Sequence, residues 1–397
     1  MAGLPALIVV TPGTAALRVA SLTLPDRLLV LLHRAGCGPI TVVAPEPPRG
    51  LRRTPALGVP FRLAASAPER LAEDTLVAQA SLLTNQADVR RVLAARGRLL
   101  TREGAPLPLA VIPAGTPRSA PAERRDDGAF VRPEARASSG PAASSEAFAP
   151  PYVGGYAAEG RPVTAEGVSL PVCGRAEARA AERAFWAALT SVSDGVVDRW
   201  FNRPVGRPLA KLLLWTPVTP NTVSVVSILV GLAGAACLAP GSWGMGVLGA
   251  LLFQVSAILD CMDGDIARGV FKESPLGKWL DLVGDQVVHL GVFLGIALGL
   301  ARSGSGAPVG WLAASCVAGS AIAFAVVLRS LRRPGLKGEG RLQRLIDLTT
   351  NRDFSVLVLA LALAGRLEWF LWLAAVGAHA FWVLALGLQF AARRSAA

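Results

Sequence analysis

The chain has 397 residues, of which 52% are hydrophobic and 17% are charged. This length allows roughly two or three domains, and the positive mean hydropathy argues against a purely soluble protein. The formal net charge of +12 favours contact with anionic lipid headgroups over binding to nucleic acid, because much of the basic excess lies beside apolar segments.

Residues 1 to 115 show the alternation of strands and helices that is typical of an α/β domain. The stretches ALIVVT and PITVVAP predict buried strands, and PDRLLVLLHRAG between them has the apolar spacing of a helix with a glycine stop. A second short helix and two further strands follow, in ADVRRVLAARG, RLLT and PLAVIPAG. We expect a cytosolic domain with a parallel sheet.

Residues 116 to 171 are rich in Ala, Pro, Ser and Gly, which indicates a linker or loop, or equally an insertion within the first domain. Residues 172 to 217 predict a helical and amphipathic juxtamembrane segment. Its first half is Ala-rich, and its second half mixes Arg and Lys with Trp200, Phe201 and Trp215.

Residues 218 to 397 predict a membrane domain of six helices. The expected spans are near 220–239, 243–266, 276–300, 308–328, 352–366 and 369–391, of which the fifth is short for a bilayer. Lys and Arg residues beside these spans fall almost entirely on one side, since the other side carries only Arg302 and Arg366. The positive-inside rule therefore places both termini in the cytoplasm, with the protein in the inner membrane.

Aspartates are concentrated where the second predicted span ends and the third begins. The stretch from Leu259 to Gln286 contains Asp260, Asp263, Asp265, Asp281 and Asp285. Helical periodicity places one group of residues on a single face of the second span and another on a single face of the third. These groups are Asp260, Asp263, Gly264 and Ala267, then Gly277, Asp281 and Asp285.

The short connection GVFKESP allows the two acidic faces to meet. Carboxylates about 4 Å apart repel by around 4 kcal/mol per pair at an effective dielectric constant near 20. Arg268 alone cannot neutralise four of them, whereas one or two divalent cations can. An all-oxygen ligand set favours Mg²⁺ or Mn²⁺ over zinc. The small residues Gly264, Ala267 and Gly277 leave space beside such ions for a base or a pyrophosphate.

The residues from Asp260 to Asp285 read D-x2-D-G-x2-A-R-x8-G-x3-D-x3-D. In this pattern the chain resembles the CDP-alcohol phosphotransferase family, and TPNTVS at Thr219 to Ser224 is similar to that family's entry to its first span. The resemblance covers about Asp194 to the C-terminus. It implies a transferase with six membrane helices and two Mg²⁺ or Mn²⁺ ions, which moves a substituted phosphate from a CDP-alcohol to an acceptor alcohol and releases CMP.

The resemblance also implies roles for individual residues. Asp260, Asp263, Asp281 and Asp285 would be metal ligands, and Asp285 would also accept the proton of the attacking hydroxyl. Asp260 would also contact the CDP moiety, which would be bound together with Gly264, Ala267, Arg268 and Gly277. Asp265 occupies a variable position of the pattern and receives no role.

Two parts of the chain bear on substrates. The loop from Arg329 to Asp353 is basic, and Arg332, Arg333 or Arg352 could pair with a phosphate of the acceptor. The first domain loosely resembles sugar nucleotidyltransferases, but TPGTAALRV after its first strand lacks their Gly-rich, Lys-containing loop. The expectation is a degenerate nucleotidyltransferase-like domain without nucleotidyl transfer.

The sequence leaves several alternatives open. The donor is either lipidic, as in phospholipid biosynthesis, or soluble, as in the synthesis of inositol phosphodiesters. A polytopic transporter and an inactive membrane scaffold are the other classes considered. A transporter predicts acids near the bilayer midplane on several helices, whereas these acids cluster at one edge. A homodimer is compatible with the sequence, which does not decide the oligomeric state.

Overall fold

A computed structural model describes residues 3–11, 13–119, 123–124, 130–131, 152–190, 194–331 and 354–396. The chain divides into two compact units, Met1–Ala188 and Leu189–Ala397. The first is an α/β unit and the second is helical.

The α/β unit is built on a seven-stranded sheet. The described strands, in chain order, are β1 Ala6–Val9, β2 Arg18–Val19, β3 Leu22–Thr23, β4 Ile40–Val43, β5 Arg62–Ala64, β6 Thr75–Gln79, β7 Leu82–Leu83, β8 Gly97–Leu100, β9 Pro106–Ile112, β10 Glu123–Arg124, β11 Phe130–Val131, β12 Tyr152–Val153, β13 Tyr156–Ala157, β14 Arg161–Thr164 and β15 Leu170–Pro171. The order of strands in the large sheet is β14-β8-β9-β6-β1-β4-β5.

The sheet is mixed, so the expectation of a parallel sheet is correct for four of its six strand pairs and wrong for the two pairs that β9 forms. Strand β1 lies parallel to both β4 and β6, with Ile8 opposite Val42 and Ala78. Strand β9 is antiparallel to its neighbours β6 and β8. The reason is the short connection between β8 and β9, which is closed by a hydrogen bond from the Thr101 amide to the Ala105 carbonyl at 2.7 Å. A tight turn of this kind can join only antiparallel strands.

Helices of the α/β unit are α1 Leu24–Arg34, α2 Arg53–Ala56, α3 Gln86–Ala95 and α4 Arg175–Ala188. The first and third agree with the helices expected from apolar spacing. Both begin at a side-chain cap, since the Thr23 side chain accepts from the Asp26 amide and the Asn85 side chain from the Asp88 amide. Such caps satisfy amides that a helix leaves without an internal partner.

The α/β unit extends well past the boundary predicted at residue 115. Strand β14 pairs in parallel with β8 at the edge of the large sheet, and the buried Ala181 and Trp186 of α4 belong to the same unit. Part of the predicted linker and part of the predicted juxtamembrane segment are therefore folded into the first unit. Most of residues 120 to 151, the remainder of the predicted linker, lies outside the described residues.

The helical unit begins with a π-helical turn, Asp198–Asn202, that leads directly into α5. Its α-helices among the described residues are α5 Arg203–Leu213, α6 Pro220–Leu238, α7 Trp243–Gly269, α8 Pro275–Arg302, α9 Val309–Leu331, α10 Phe354–Leu363 and α11 Leu367–Ala396. Five of the described helices, α6 to α9 and α11, are long and apolar enough to cross a membrane. Helix α10 has only 10 described residues, so the predicted count of six spans is not confirmed.

Helix α6 packs closely against α7 and α8 because small residues line the contacts. A Cβ atom added to Gly249 of α7 would lie 2.7 Å from the Gly234 carbonyl oxygen of α6. A Cβ atom on Gly295 of α8 would lie 2.3 Å from the Ala235 carbonyl oxygen. Glycine at these positions lets the helix backbones touch, as is common between membrane helices. This packing sets the positions of the two acid-bearing helices.

Candidate metal centre

The candidate site lies where α7 ends and α8 begins. Helix α8 starts at Ser274, whose hydroxyl accepts a hydrogen bond from the Gly277 amide at 2.9 Å, and Pro275 occupies the first turn. Only a short segment separates this cap from the last residue of α7, Gly269. The C-terminal turns of α7 and the N-terminal turns of α8 therefore lie at the same end of the helical unit.

Three of the four predicted acidic ligands come together. Each of Asp260, Asp281 and Asp285 offers one carboxylate oxygen, and these oxygens all lie within 4.8 Å of one another. The Asp260 side chain is buried, Asp285 is half-buried and Asp281 is exposed. The group is therefore buried at Asp260 and exposed to solvent at Asp281. The exposed side offers a route by which an ion and a substrate can enter.

The donor set fits a hard divalent cation. Two ligands of one Mg²⁺ ion lie up to about 4.2 Å apart, because each bond is about 2.1 Å long. The observed upper limit of 4.8 Å is close to that spacing. Carboxylate oxygens are the ligands that Mg²⁺ and Mn²⁺ prefer, while zinc sites usually contain sulfur or nitrogen. The residues present therefore suit Mg²⁺ or Mn²⁺.

Asp263 lies outside this group of three. Its side chain is 6% exposed and accepts a hydrogen bond from the Ser224 hydroxyl of α6. Ser224 belongs to the TPNTVS stretch, so the entry to the first span contacts the acidic face of α7. A role for Asp263 as a metal ligand stays a prediction.

The residues predicted to receive the CDP moiety lie beside the carboxylates, but the space next to the two glycines is occupied. A Cβ atom on Gly264 would lie 3.1 Å from a guanidinium nitrogen of Arg268. A Cβ atom on Gly277 would lie 2.9 Å from the side-chain oxygen of Asn221. Ala267 is half-buried. Glycine at both positions is explained by these neighbouring side chains, and open space for a ligand beside them stays a prediction.

The predicted acceptor-phosphate residues Arg332, Arg333 and Arg352 lie outside the described residues. Their proposed role stays a prediction.

The structure also reveals a buried charge network that sequence reasoning missed. Asp265, which received no role, has a side chain only 2% exposed and pairs with three arginines. These are Arg203 and Arg207 of α5, the latter at 3.5 Å, and Arg268 of α7 at 3.3 Å. A sequence signal was present, since an acid three residues before an arginine on a helix forms a side-chain pair.

Arg203 is the centre of this network. Its Nε and Nη2 atoms donate to the two carboxylate oxygens of Asp194, each at 2.7 Å, while its Nη1 donates to Asp265. Burial by itself lowers the pKa of Arg203, but the hydrogen bond to Asp194 and the charges of Asp265 and Asp194 outweigh it and raise the pKa above its ordinary value. The guanidinium therefore stays charged and holds α5 against α7.

The turn before α5 contacts the same side of α7. Asn202 donates to Asp198 at 2.7 Å within the π-helical turn, and Gln254 of α7 donates to Asn202 at 2.6 Å. Cys261 of α7 also lies against Asp198, with its sulfur 3.4 Å from the carboxylate. Helix α7 is thus polar on two sides, one toward α8 and one toward the turn and α5.

The chain is similar in sequence to known proteins. Residues 217–380 match the family model described as CDP-alcohol phosphatidyltransferase. The phosphatidylinositol phosphate synthase of Cutibacterium acnes is 30% identical over 180 residues, which cover 45% of this chain and 79% of that protein. The bifunctional IPC transferase and DIPP synthase of Rubrobacter xylanophilus is 34% identical over 177 residues, which cover 44% of this chain and 37% of that protein.

The chain spans well under half the length of the first curated relatives that it matches. Among solved structures, the phosphatidylinositol phosphate synthase of Mycobacterium tuberculosis in complex with manganese and citrate is 24% identical. The match covers 46% of this chain and 87% of that chain, with a TM-score of 0.38.

Proposed function

Because the chain belongs to the CDP-alcohol phosphatidyltransferase family, we propose that it transfers a substituted phosphate group from a CDP-alcohol to an acceptor alcohol and releases CMP. The observation that carries the proposal is the convergence of Asp260, Asp281 and Asp285, whose carboxylate oxygens lie within 4.8 Å of one another. In this family pattern the three acids would hold the divalent ions on which the chemistry depends.

We propose Mg²⁺ or Mn²⁺ as the cofactor, held by Asp260, Asp281 and Asp285, with Asp263 as a further ligand. Bound divalent cations would polarise the phosphoryl group and neutralise charge on the attacking and leaving oxygens. Ser224 supports this set, because its hydroxyl donates to Asp263 and so fixes the direction of that carboxylate. Because Asp260 and Asp263 are buried, packing restricts the conformations of both side chains and holds the carboxylates in position for the metal.

Asp285 is the best candidate for the general base. It is half-buried and belongs to the three converging carboxylates, so its second oxygen could face the substrate side while the first faces a cation. A carboxylate in that place can orient the acceptor hydroxyl and take its proton as the new bond to phosphorus forms. The proton moves from the acceptor oxygen to Asp285, and CMP leaves with the electrons of the broken P–O bond.

We propose that the donor binds at the Arg268 side of the acids. Arg268 is exposed at 41% of its side chain, and its guanidinium lies beside Gly264. Guanidinium groups pair with phosphate through two parallel hydrogen bonds. Asp260, Ala267 and Gly277 would complete the contact with the CDP moiety.

For the acceptor, we propose a polyol of the inositol type that carries a phosphate. The support is the name of the Cutibacterium acnes relative, a phosphatidylinositol phosphate synthase. Arg332, Arg333 and Arg352 would bind the acceptor's phosphate. The donor is then a CDP-alcohol that is either lipidic or soluble, and the experiment below distinguishes the two.

We further propose that the helical unit lies in the inner membrane with the acidic end facing the cytoplasm. The five apolar helices are long enough to cross a bilayer, and the distribution of Lys and Arg along the sequence supports the orientation. A homodimer stays a prediction, which cross-linking in native membranes would test.

We infer that the α/β unit does not transfer nucleotides. The Arg18 guanidinium donates to the Ser21 carbonyl oxygen at 3.0 Å, and the segment from Thr11 to Arg18 contains no lysine. A triphosphate site needs cations and backbone amides directed at the ligand. A structural or regulatory role is the better assignment for this unit.

The test uses the purified full-length chain with Mg²⁺ or Mn²⁺ and follows CMP release. The donors are CDP-diacylglycerol and CDP-inositol, each with and without inositol phosphate as acceptor. Acceptor-dependent CMP release with either donor would support the proposal and would choose between the lipidic and the soluble branch. Absence of CMP release with both donors, from protein that is folded and binds the metal, would refute it. Asp285→Asn is the matched inactive control.

A further inference from the structure

Asp265 and the metal-directed acids face different ways on α7. At 3.6 residues per turn, the five-residue step from Asp260 to Asp265 turns the side-chain direction by about 140°. Asp260 lies with the carboxylates of α8, whereas Asp265 lies with the arginines of α5. Asp265 is therefore not a further metal ligand, and its buried charge needs another explanation.

The network around Asp265 contains one more positive charge than negative charges. Its three arginines, Arg203, Arg207 and Arg268, face two carboxylates, those of Asp265 and Asp194. Among the described residues, three positive charges against two negative charges leave a surplus of one. A network built only to clamp α5 to α7 would not require the third arginine.

The side-chain exposures of the three arginines show which of them carries its charge at the surface. The side chains of Arg203 and Arg207 are 6% and 20% exposed, and that of Arg268 is 41% exposed. Arg203 is bound by two carboxylates, and Arg207 also donates to the Thr190 hydroxyl at 2.7 Å. Arg268 is thus the arginine of the network that can meet an anionic ligand while keeping its contact with Asp265.

The same contact decides where Arg268 lies. Its Nη2 atom donates to Asp265 at 3.3 Å, and its guanidinium nitrogens lie 3.1 and 3.3 Å from the position that a Cβ atom of Gly264 would occupy. The guanidinium is therefore folded back over Gly264, between the buried Asp265 and the neighbourhood of the metal-directed acids.

We propose that Asp265 is a positioning residue for the donor, which holds the Arg268 guanidinium over Gly264 so that it can pair with the diphosphate of the CDP-alcohol. This inference rests on the proposed function. Without Asp265, Arg268 would sample many rotamers and would lose that freedom on binding, which weakens affinity.

The experiment compares Asp265→Asn, Arg268→Ala and the double variant in the full-length protein. The readouts are the KM for the CDP-alcohol donor, kcat, and the Kd for CDP in the presence of Mn²⁺ by calorimetry. We expect Asp265→Asn to raise the donor KM and the CDP Kd about tenfold, with kcat changed less than about threefold. In the Arg268→Ala background, Asp265→Asn should have no further effect on either constant.

Asp194→Asn is the matched control, because it removes a partner of Arg203 without touching Arg268. It should lower the melting temperature and leave the donor KM and the CDP Kd within about twofold of wild type. Asp265→Glu, which retains the carboxylate, should recover part of the lost CDP affinity. Asp265→Glu also serves as the test variant if Asp265→Asn does not accumulate as folded protein. Its Kd for CDP should then lie between the wild-type value and that of Arg268→Ala.

Two results would overturn the inference while the wild type still releases CMP. One is an Asp265 variant that melts at a lower temperature but binds CDP with the wild-type Kd, which would assign Asp265 to the clamp alone. The other is a double variant in which the two effects on Kd multiply, since independent residues behave that way. Failure of the wild type to release CMP from either donor would instead refute the proposed function.

Discussion

Buried aspartates have contrasting surroundings in the two units of this protein. In the α/β unit, Asp26 is fully buried, and its two oxygens accept from the amides of Arg52, Arg53 and Thr54 and from the Thr54 hydroxyl at 2.6 to 2.9 Å. In the helical unit, Asp260 is buried at 7% exposure, and its carboxylate converges with two others.

The comparison shows that burial of an acid does not by itself mark a functional site. A carboxylate that receives several neutral hydrogen bonds is stabilised as an anion and holds loops together. Carboxylates that approach one another raise their mutual repulsion, and a cation relieves it. The direction of the side chain, toward amides or toward other acids, separates the two cases.

The largest effect is expected where the converging acids are broken. Asp281→Asn and Asp285→Asn should each lower CMP release by on the order of a thousandfold or more, because each removes a negative ligand and the second also removes the base. Asp88→Asn in the α/β unit should leave CMP release near the wild-type rate at temperatures where the unit is folded. Activity within tenfold of wild type in both helical variants would mean that these acids do not serve the reaction.

The next effect concerns stability and falls on the α/β unit. Asp88 is fully buried and accepts from Asn85 at 2.7 Å, from the Ser169 hydroxyl at 2.9 Å and from the amides of Glu166 and Gly167 at 3.0 and 3.3 Å. We expect Asp88→Ala to lower the free energy of unfolding of this unit by about 3 kcal/mol, since buried donors lose their acceptor. Denaturant titration followed by limited proteolysis measures this loss. Unchanged protease resistance would contradict it.

A smaller effect should appear when a cation is added. At a Mg²⁺ or Mn²⁺ concentration of 100 times the Kd, the helical unit should gain about 2.7 kcal/mol of stability, because the ion binds only the folded carboxylates. The melting temperature of the full chain reports this gain, which EDTA should reverse. Asp281→Asn should abolish most of it and Asp88→Asn none. An equal gain in both variants would place the cation elsewhere.

The smallest effect concerns the helix contacts behind the acids. Gly295→Ala would place a Cβ atom 2.3 Å from the Ala235 carbonyl oxygen, so α6 and α8 must move apart at a cost of about 1 to 3 kcal/mol. A lower melting temperature and a few-fold loss of CMP release should result. Gly377→Ala in α11 is the control, because no described atom beyond the adjacent residues and the nearby backbone of its own helix lies within 4 Å of the added Cβ atom. Equal melting temperatures of the two variants would contradict the packing argument.

The sequence predicted what depends on local spacing. The convergence of Asp260 with Asp281 and Asp285 follows from helical periodicity on two neighbouring helices joined by a short connection. In the structure the oxygens of these three carboxylates lie within 4.8 Å of one another, and Asp263 lies outside the group. Helices α1 and α3 lie where the apolar spacing of PDRLLVLLHRAG and ADVRRVLAARG predicted helices. These features need only residues that are close along the chain.

What depends on distant partners was not predictable in the same way. Strand β14 lies within an Ala- and Pro-rich region and is ordered by pairing with β8, whose residues lie 64 positions earlier. Asp265 pairs with Arg203 across 62 positions, so its spacing within the motif carries no sign of that contact. The position of β9 beside β6 likewise depends on a distant partner, whereas its antiparallel direction relative to β8 follows from the short connection between them.

The backbone contacts of α6 have a consequence for engineering this protein. Where a glycine of one helix rests on a carbonyl oxygen of the next, as Gly249 rests on Gly234 and Gly295 on Ala235, the distance between helices is set by peptide geometry and cannot be adjusted by exchanging side chains. Attempts to admit a bulkier donor should therefore target the open end near Asp281 and the loops beyond it. Substitutions at the glycine contacts between α6 and its neighbours would displace the acid-bearing helices and destabilise the fold without improving selectivity.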